Sequence, residues 1–156
     1  MSTLSHLLLV FTDLDGCLLD HFTYDYELAR PALDQLKQSK VPLILTSSKT
    51  LAELAELSAE LKLQSPFIVE NGAGVVFPDG YFSTAVSGLV YHEGWWLKSF
   101  GPALSEILTT LHKIRQENGF RFSGFSDMSS PEVANLTGLS LPRAETAKQR
   151  LFTEPV

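Results

Sequence analysis

The chain has 156 residues, of which 44% are hydrophobic and 19% are charged, a composition that excludes intrinsic disorder and predicts one globular domain, or one domain with a small insertion. The formal net charge of −6 argues against nucleic acid and anionic membranes as partners. The single cysteine excludes an internal disulfide, and because the chain has no signal peptide and no apolar stretch as long as a membrane span, we expect a cytoplasmic protein.

The first predicted element is a strand over residues 7–12. Its apolar residues are continuous rather than alternating, which is typical of a strand buried on both faces. The strand ends on two carboxylates, Asp13 and Asp15, followed by Gly16, which allows a sharp turn. Because ligands of open α/β sheets bind at the carboxyl ends of strands, one acid can attack as a nucleophile while the other moves protons.

Helices and strands alternate from this strand as far as residue 69. The spacing of leucines and alanines predicts helices over residues 28–36 and 51–61. Short apolar runs predict strands over residues 41–45 and 67–69. This alternation is typical of a parallel, doubly wound sheet.

Beyond residue 74 the pattern changes. Apolar residues at 75–77 and 81–82 flank Pro78-Asp79-Gly80 and predict a hairpin. Further elements are predicted in chain order: a helix over 104–114, a strand over 120–125 and a short helix from Ser130 to Gly138. We therefore expect a core formed by residues 1–82 and a small α/β unit formed by residues 83–156.

Hydroxyl groups follow the second predicted strand. The Thr46 and Ser47 hydroxyls can donate hydrogen bonds to a ligand bound beside Asp13. For Ser48 we favour a helix N-cap instead. Lys49 can support an anionic ligand, but a solvated lysine in the first helical turn is equally plausible.

Glu70-Asn71-Gly72 follows the third predicted strand at the same sheet edge. Considered alone, this tripeptide is as well explained by an ordinary turn as by a ligand site.

Three stretches together carry a family resemblance: residues 13–18, residues 46–50 and residues 66–72. The first resembles motif I of the haloacid dehalogenase-like phosphohydrolases. Together they look like the Cof-type (IIB) branch, and within it the mannosyl-3-phosphoglycerate phosphatase group. Residues 124–139 and 147–155 resemble the cap of that group, so the resemblance covers essentially the whole chain.

The resemblance implies a Rossmann-like parallel sheet core with an inserted α/β cap, and a Mg²⁺-dependent phosphomonoesterase acting on a sugar-linked phosphoglycerate. Asp13 would attack phosphorus and form an aspartyl-phosphate. Asp15 would protonate the leaving hydroxyl and then activate water. Mg²⁺ would be held by the Asp13 carboxylate and the Asp15 carbonyl.

The same resemblance extends the predicted substrate site. Its members would be Thr46, Ser47, Lys49, Glu70, Asn71, Gly72, Arg150 and Glu154. Ser47 matches motif II of the family and would donate a hydrogen bond to a phosphoryl oxygen while Asp13 attacks phosphorus; Thr46 is the next candidate for that role. Within the cap, Arg150 would bind the substrate carboxylate and Glu154 would accept sugar hydroxyls. On the residues alone, a surface ion pair between these two side chains is about as plausible.

The chain also departs from the family. Nothing in it matches the motif III lysine or the acidic motif IV, so we expect a fold that is incomplete at the C-terminus. One edge of the first strand would then be open to self-association or to a partner chain. The 156-residue chain alone would be inactive or weak.

Other functions remain open on the sequence. They are a non-catalytic remnant or fragment of such a phosphatase, a phosphatase for another sugar phosphate, and a phosphoacceptor signalling domain.

Overall fold

The computed structural model describes residues 8–21 and 23–156 and has a mixed α/β fold. The strands are β1 (Val10–Thr12), β2 (Leu43–Leu45), β3 (Phe67–Val69), β4 (Gly74–Pro78), β5 (Val90–His92) and β6 (Trp95–Ser99). The helices are α1 (Arg30–Gln38), α2 (Leu51–Glu60), α3 (Leu104–Asn118), α4 (Ser130–Thr137) and α5 (Leu141–Ala147), with short 3₁₀ turns at Glu27–Ala29, Glu70–Gly72 and Phe125–Asp127. No described helix is both long and apolar enough to cross a membrane.

The first three strands run parallel. β1 pairs with β2, with Val10 opposite Leu43. A parallel bridge between Thr46 and Ile68 joins the end of β2 to β3. The predicted doubly wound beginning is therefore confirmed, and the carboxyl ends of β1, β2 and β3 meet at one edge of the sheet.

The sheet continues with antiparallel strands in the order β3-β4-β6-β5. The predicted hairpin between residues 75–77 and 81–82 is wrong, because β4 pairs with β3 on one side and with β6 on the other. Tyr81 and Phe82 instead pack on the Phe77 ring, with ring centroids 5.7 and 4.9 Å away. The proposed boundary at residue 82 falls between two strands of this sheet and stays a prediction.

β1 is more exposed than its sequence predicts. Phe11 is 59% exposed and Leu8 is 60% exposed, so the expectation of burial on both faces is wrong for the described residues 8–12. The physical reason is that, in the described part of the chain, β1 has a strand neighbour only on the β2 side. Leu7 lies outside the described residues, and self-association through this edge stays a prediction.

The hydrophobic core lies between the sheet and the first two helices. Its buried members are Leu14, Leu18, Leu19, Leu43, Leu45, Leu51, Leu54, Phe67, Val69, Val76 and Leu97. Leu97 of β6 belongs to this cluster, so the antiparallel strands share the core of the parallel ones.

The C-terminal part is helical. α3 ends at Gly119 and α4 ends at Gly138, and both glycines have a left-handed backbone conformation. The predicted helix end at Gly138 is therefore confirmed. The predicted strand over residues 120–125 is wrong: the segment enters a 3₁₀ turn fixed by an ion pair of Arg115 with Asp127 at 2.6 Å. α5 was not foreseen, and it lies beside α2, where the Thr50 hydroxyl donates to the Thr146 carbonyl at 2.9 Å.

Candidate active site

Side chains from the ends of three parallel strands line one open depression at the carboxyl edge of the sheet. Its volume is about 560 Å³, and it is lined by Phe11, Thr12, Asp13, Thr46, Ser47, Ser48, Ile68 and Asn71. Four of the residues predicted from the sequence, Asp13, Thr46, Ser47 and Asn71, are therefore brought together.

The turn after β1 presents both predicted acids to solvent. Asp13 and Asp15 are exposed, whereas Leu14 between them is fully buried and anchors the turn in the core. Backbone hydrogen bonds from Cys17 and Leu19 to the Leu14 carbonyl, 3.1 and 2.8 Å long, close the turn. The turn therefore fixes the backbone of the two acids while leaving both carboxylates accessible.

The Ser47 and Thr46 hydroxyls at the end of β2 differ in their hydrogen bonding. The Ser47 hydroxyl oxygen accepts a hydrogen bond from the Lys49 amide at 3.2 Å, so its proton is left for an incoming acceptor. The Thr46 hydroxyl oxygen is buried and has no hydrogen-bond partner among the described residues. An unpaired buried hydroxyl is costly, and a phosphoryl oxygen in the depression is an acceptor of the right kind.

Lys49 lies beside the second acid. Its ammonium nitrogen is 3.3 Å from an Asp15 carboxylate oxygen. Its side chain is 22% exposed, compared with 41% for Asp15, so the cation is held at the rim of the site rather than free in solvent.

The helix cap expected at Ser48 is wrong. The N-cap of α2 is Thr50, whose hydroxyl accepts from the Glu53 amide, while the Glu53 carboxylate accepts from the Thr50 amide at 2.9 Å. This capping box needs a residue three positions before Glu53, which Thr50 satisfies and Ser48 does not. Ser48 is exposed at the depression.

Glu70, Asn71 and Gly72 form a strained turn. Their φ angles are +50°, +59° and +90°, and a left-handed glutamate is uncommon. Asn71 faces the depression, and Gly72 is exposed beside it.

Glu70 points away from the depression. Its carboxylate is fully buried and accepts from the Leu151 amide at 2.8 Å, the Phe152 amide at 3.1 Å and the Thr153 hydroxyl at 2.6 Å. These contacts give Glu70 a structural role, whereas a phosphate-binding role was expected.

Arg150 is engaged by the protein itself. Its guanidinium donates to the Ser48 carbonyl at 2.8 Å and to the Thr153 hydroxyl at 2.9 Å, and its Nε lies 3.8 Å from Glu70. The side chain is only 9% exposed. It therefore braces the backbone at Ser48, beside the depression, and its donors do not face a carboxylate ligand.

Glu154 is also held within the protein. Its carboxylate accepts from the amide and the hydroxyl of Ser126, at 2.7 and 3.0 Å. The alternative of an ion pair between Arg150 and Glu154 is not what the structure shows, since Arg150 lies beside Glu70 and Glu154 beside Ser126.

Asp13 and Asp15 fit a magnesium ion that keeps most of its water. The exposed Asp13 carboxylate and the Asp15 carbonyl lie on one turn, and Mg²⁺ commonly binds proteins through one or two carboxylates, several waters and substrate phosphates. Within residues 8–21 and 23–156, no three His, Cys, Asp or Glu side chains form a metal-binding group.

Two residues near the site were not predicted from the sequence. They are Tyr24 and Arg143 of α5: the Arg143 Cζ lies 5.3 Å from the centroid of the Tyr24 ring, and the Lys49 Nζ lies 5.6 Å from the same centroid. Arg143 could not be found from the sequence because α5 was not predicted.

Comparison with known proteins finds one matching family and two similar phosphatases. The profile of the haloacid dehalogenase-like hydrolases matches residues 10–84. A glucosyl-3-phosphoglycerate/mannosyl-3-phosphoglycerate phosphatase from Methanococcoides burtonii is 41% identical over 94% of this chain and 54% of its own length. A protein of the same name from Persephonella marina is 40% identical over 95% of this chain and 54% of its own length. The chain thus spans about half the length of these curated relatives.

A solved structure supports the fold. A phosphatase of the haloalkanoate enzyme superfamily from Bacteroides thetaiotaomicron superposes with a TM-score of 0.53 at 17% identity, over 90% of this chain and 50% of that protein. The α/β class is therefore confirmed. Residues 10–84 match the model of the haloacid dehalogenase-like hydrolases, and nearly the whole chain is similar to the two named phosphatases.

Proposed function

We propose that this chain carries the nucleophile half of a Mg²⁺-dependent phosphomonoesterase that acts on a sugar phosphoglycerate through an aspartyl-phosphate. One observation carries the proposal: Asp13, the Thr46 and Ser47 hydroxyls and Asn71 line a single open depression at the carboxyl edge of the parallel strands. A nucleophile and hydrogen-bond donors for a phosphoryl group are the parts that phosphoryl transfer requires.

In the first half-reaction, Asp13 attacks phosphorus. A bond forms between its carboxylate oxygen and phosphorus while the bond to the alcohol oxygen breaks. The Ser47 hydroxyl donates to a phosphoryl oxygen, since its acceptor side is already used by the Lys49 amide. Asp15, exposed on the same turn, gives its proton to the leaving alkoxide.

In the second half-reaction, Asp15 takes a proton from water. The resulting hydroxide attacks phosphorus, inorganic phosphate leaves, and the Asp13 carboxylate is restored. The Lys49 ammonium, 3.3 Å from an Asp15 carboxylate oxygen, holds that carboxylate in place on the turn.

Mg²⁺, when bound by Asp13 and Asp15, supplies positive charge that offsets the charge of the transferring phosphoryl group. The substrate class rests on the relatives, which are named for glucosyl- and mannosyl-3-phosphoglycerate. Both esters carry a carboxylate as well as the phosphate.

The test is turnover of mannosyl-3-phosphoglycerate by the 156-residue chain in excess Mg²⁺, compared with Asp13→Asn and with a matched control, Asp34→Asn. Asp34 is exposed on α1, so its amide should leave the rate unchanged. We expect slow but measurable release of phosphate that Asp13→Asn abolishes. Equal rates for all three proteins would contradict the proposal.

A non-catalytic binding module is the second candidate. It is favoured by the lack of a third metal-binding carboxylate at the site among the described residues. Binding of the phosphoester without any release of phosphate would select it.

A further inference from the structure

The loop between β1 and α1 holds one aromatic side chain in an uncommon conformation. Tyr24 has a φ of +57°, which is rare for a bulky residue. The Tyr24 amide donates to the Asp20 carbonyl at 3.0 Å, and the Asp20 amide donates to the Asp25 carbonyl at 2.8 Å. These two bonds hold the backbone that sets the position of the ring.

Two cations rest against this one ring. The Lys49 ammonium is 5.6 Å and the Arg143 guanidinium 5.3 Å from its centroid, distances at which a cation is attracted to an aromatic face. The two charges are therefore separated by no more than the sum of these distances. Lys49 in turn lies 3.3 Å from Asp15, which ties the pair of cations to the catalytic turn.

Arg143 is exposed, and no carboxylate of the described residues lies within ion-pair distance of its guanidinium. Its side chain therefore retains donors for a ligand. Arg150 differs, because the Ser48 carbonyl, the Thr153 hydroxyl and the Glu70 carboxylate surround its guanidinium.

We propose that Arg143, positioned on the Tyr24 ring beside Lys49, binds the carboxylate of the alcohol portion of the substrate. This inference rests on the proposed function and moves the carboxylate contact from Arg150 to Arg143. A guanidinium presents paired N–H groups that match the two oxygens of a carboxylate. In a chain of net charge −6, two cations gathered at the site supply the local positive charge that a multiply anionic ester requires.

The experiment compares two phosphoesters that differ at one group. D-3-Phosphoglycerate carries a carboxylate where sn-glycerol 3-phosphate carries a hydroxymethyl group. Their dissociation constants are measured by isothermal titration calorimetry for the wild-type chain, Arg143→Gln, Arg143→Lys and Arg121→Gln. Arg121 is exposed and has no ion pair in the described structure, so Arg121→Gln controls for the loss of one charge.

We expect the wild-type chain to bind the carboxylate ester about tenfold more tightly, the size of one exposed charge-assisted contact. Arg143→Gln should remove this preference by weakening binding of 3-phosphoglycerate alone, and Arg143→Lys should retain part of it. Arg121→Gln should keep the full preference.

A preference that persists in Arg143→Gln, or that Arg121→Gln removes equally, would overturn the inference. So would equal binding of the two esters by the wild-type chain. If neither ester binds the wild-type chain, the proposed function itself fails, and the inference fails with it.

Discussion

Replacing Glu70 by glutamine should destabilise the fold strongly without changing the shape of the side chain. The Glu70 carboxylate is fully buried and accepts hydrogen bonds from the Leu151 amide, the Phe152 amide and the Thr153 hydroxyl. An amide presents one oxygen and one NH₂ group, so at least one of the donors must face another donor. The neighbouring Arg150 guanidinium also loses its anion.

The expected loss in the free energy of unfolding is about 3 kcal/mol, because breaking a buried, charged hydrogen-bond set by removing one partner typically costs about 3–5 kcal/mol and the amide keeps part of the set. Equilibrium urea unfolding of the 156-residue chain measures it. Glu56→Gln, on the exposed side of α2, should change the free energy of unfolding by less than about 0.5 kcal/mol.

Two further measurements distinguish a loss of the contacts between Glu70 and residues 151–153 from a loss of stability of the whole fold. Thr153→Val should cost about 1 kcal/mol, since it removes one of the hydrogen bonds to Glu70. Hydrogen exchange of the Leu151 and Phe152 amides should accelerate in Glu70→Gln before that of the core strands. A loss below about 1 kcal/mol for Glu70→Gln would refute the assignment of Glu70 as the residue that holds this segment.

Two other predictions concern single contacts outside the site. The hydrogen bond from Arg115, followed by the one from the Gly124 amide, lowers the pKa of Asp127 from 3.8 to about 2, so the stability it contributes is complete above pH 4 and is lost as the pH falls towards 2. Asp127→Asn should therefore have a lower Tm than the wild-type chain at pH 7. The two Tm values should converge as the pH falls to 2, and a difference in Tm that does not depend on pH would contradict the ion pair. Gly74→Ala should destabilise the fold by about 1–3 kcal/mol in urea unfolding, because a Cβ at this position would meet the Phe152 ring at 2.6 Å. Gly80→Ala is the comparison for backbone strain alone, because a Cβ at Gly80 meets no atom within 4 Å although φ is +72°.

The parallel beginning of the fold could be predicted because its signals are local. Continuous apolar runs at 41–45 and 67–69 and leucine spacing in α2 each reflect burial on the same core. Because the carboxyl ends of parallel strands lie at one edge of the sheet, the strand order predicts that Asp13, Ser47 and Asn71 are close together, as they are in the depression.

The errors arise where partners distant in sequence decide the structure. The sequence around β4 predicts one half of a local hairpin, but its neighbours are β3 and β6, and β6 is separated from β4 by β5 and two loops. Ser48 and Thr50 are both good N-caps on composition, and only the position of Glu53 relative to the first turn selects Thr50.

The roles of Arg150 and Glu70 could not be predicted for the same reason. Both are charged residues that the family resemblance assigns to the substrate site, and both look available to a ligand. Their pairing with Ser48 and with residues 151–153 appears only once the C-terminal segment lies along the edge of the sheet. Burial of Glu70, rather than its charge, decides its role.

In the proposed reaction, Asp13 is the nucleophile. The most direct measurement is a single-turnover reaction of the chain with mannosyl-3-phosphoglycerate and Mg²⁺, quenched with borohydride, which reduces an aspartyl-phosphate to homoserine. Mass spectrometry then locates the modified residue. We predict homoserine at position 13 and none at Asp15 or in the Asp13→Asn variant. Modification at Asp15, or phosphate release without modification of Asp13, would contradict the account.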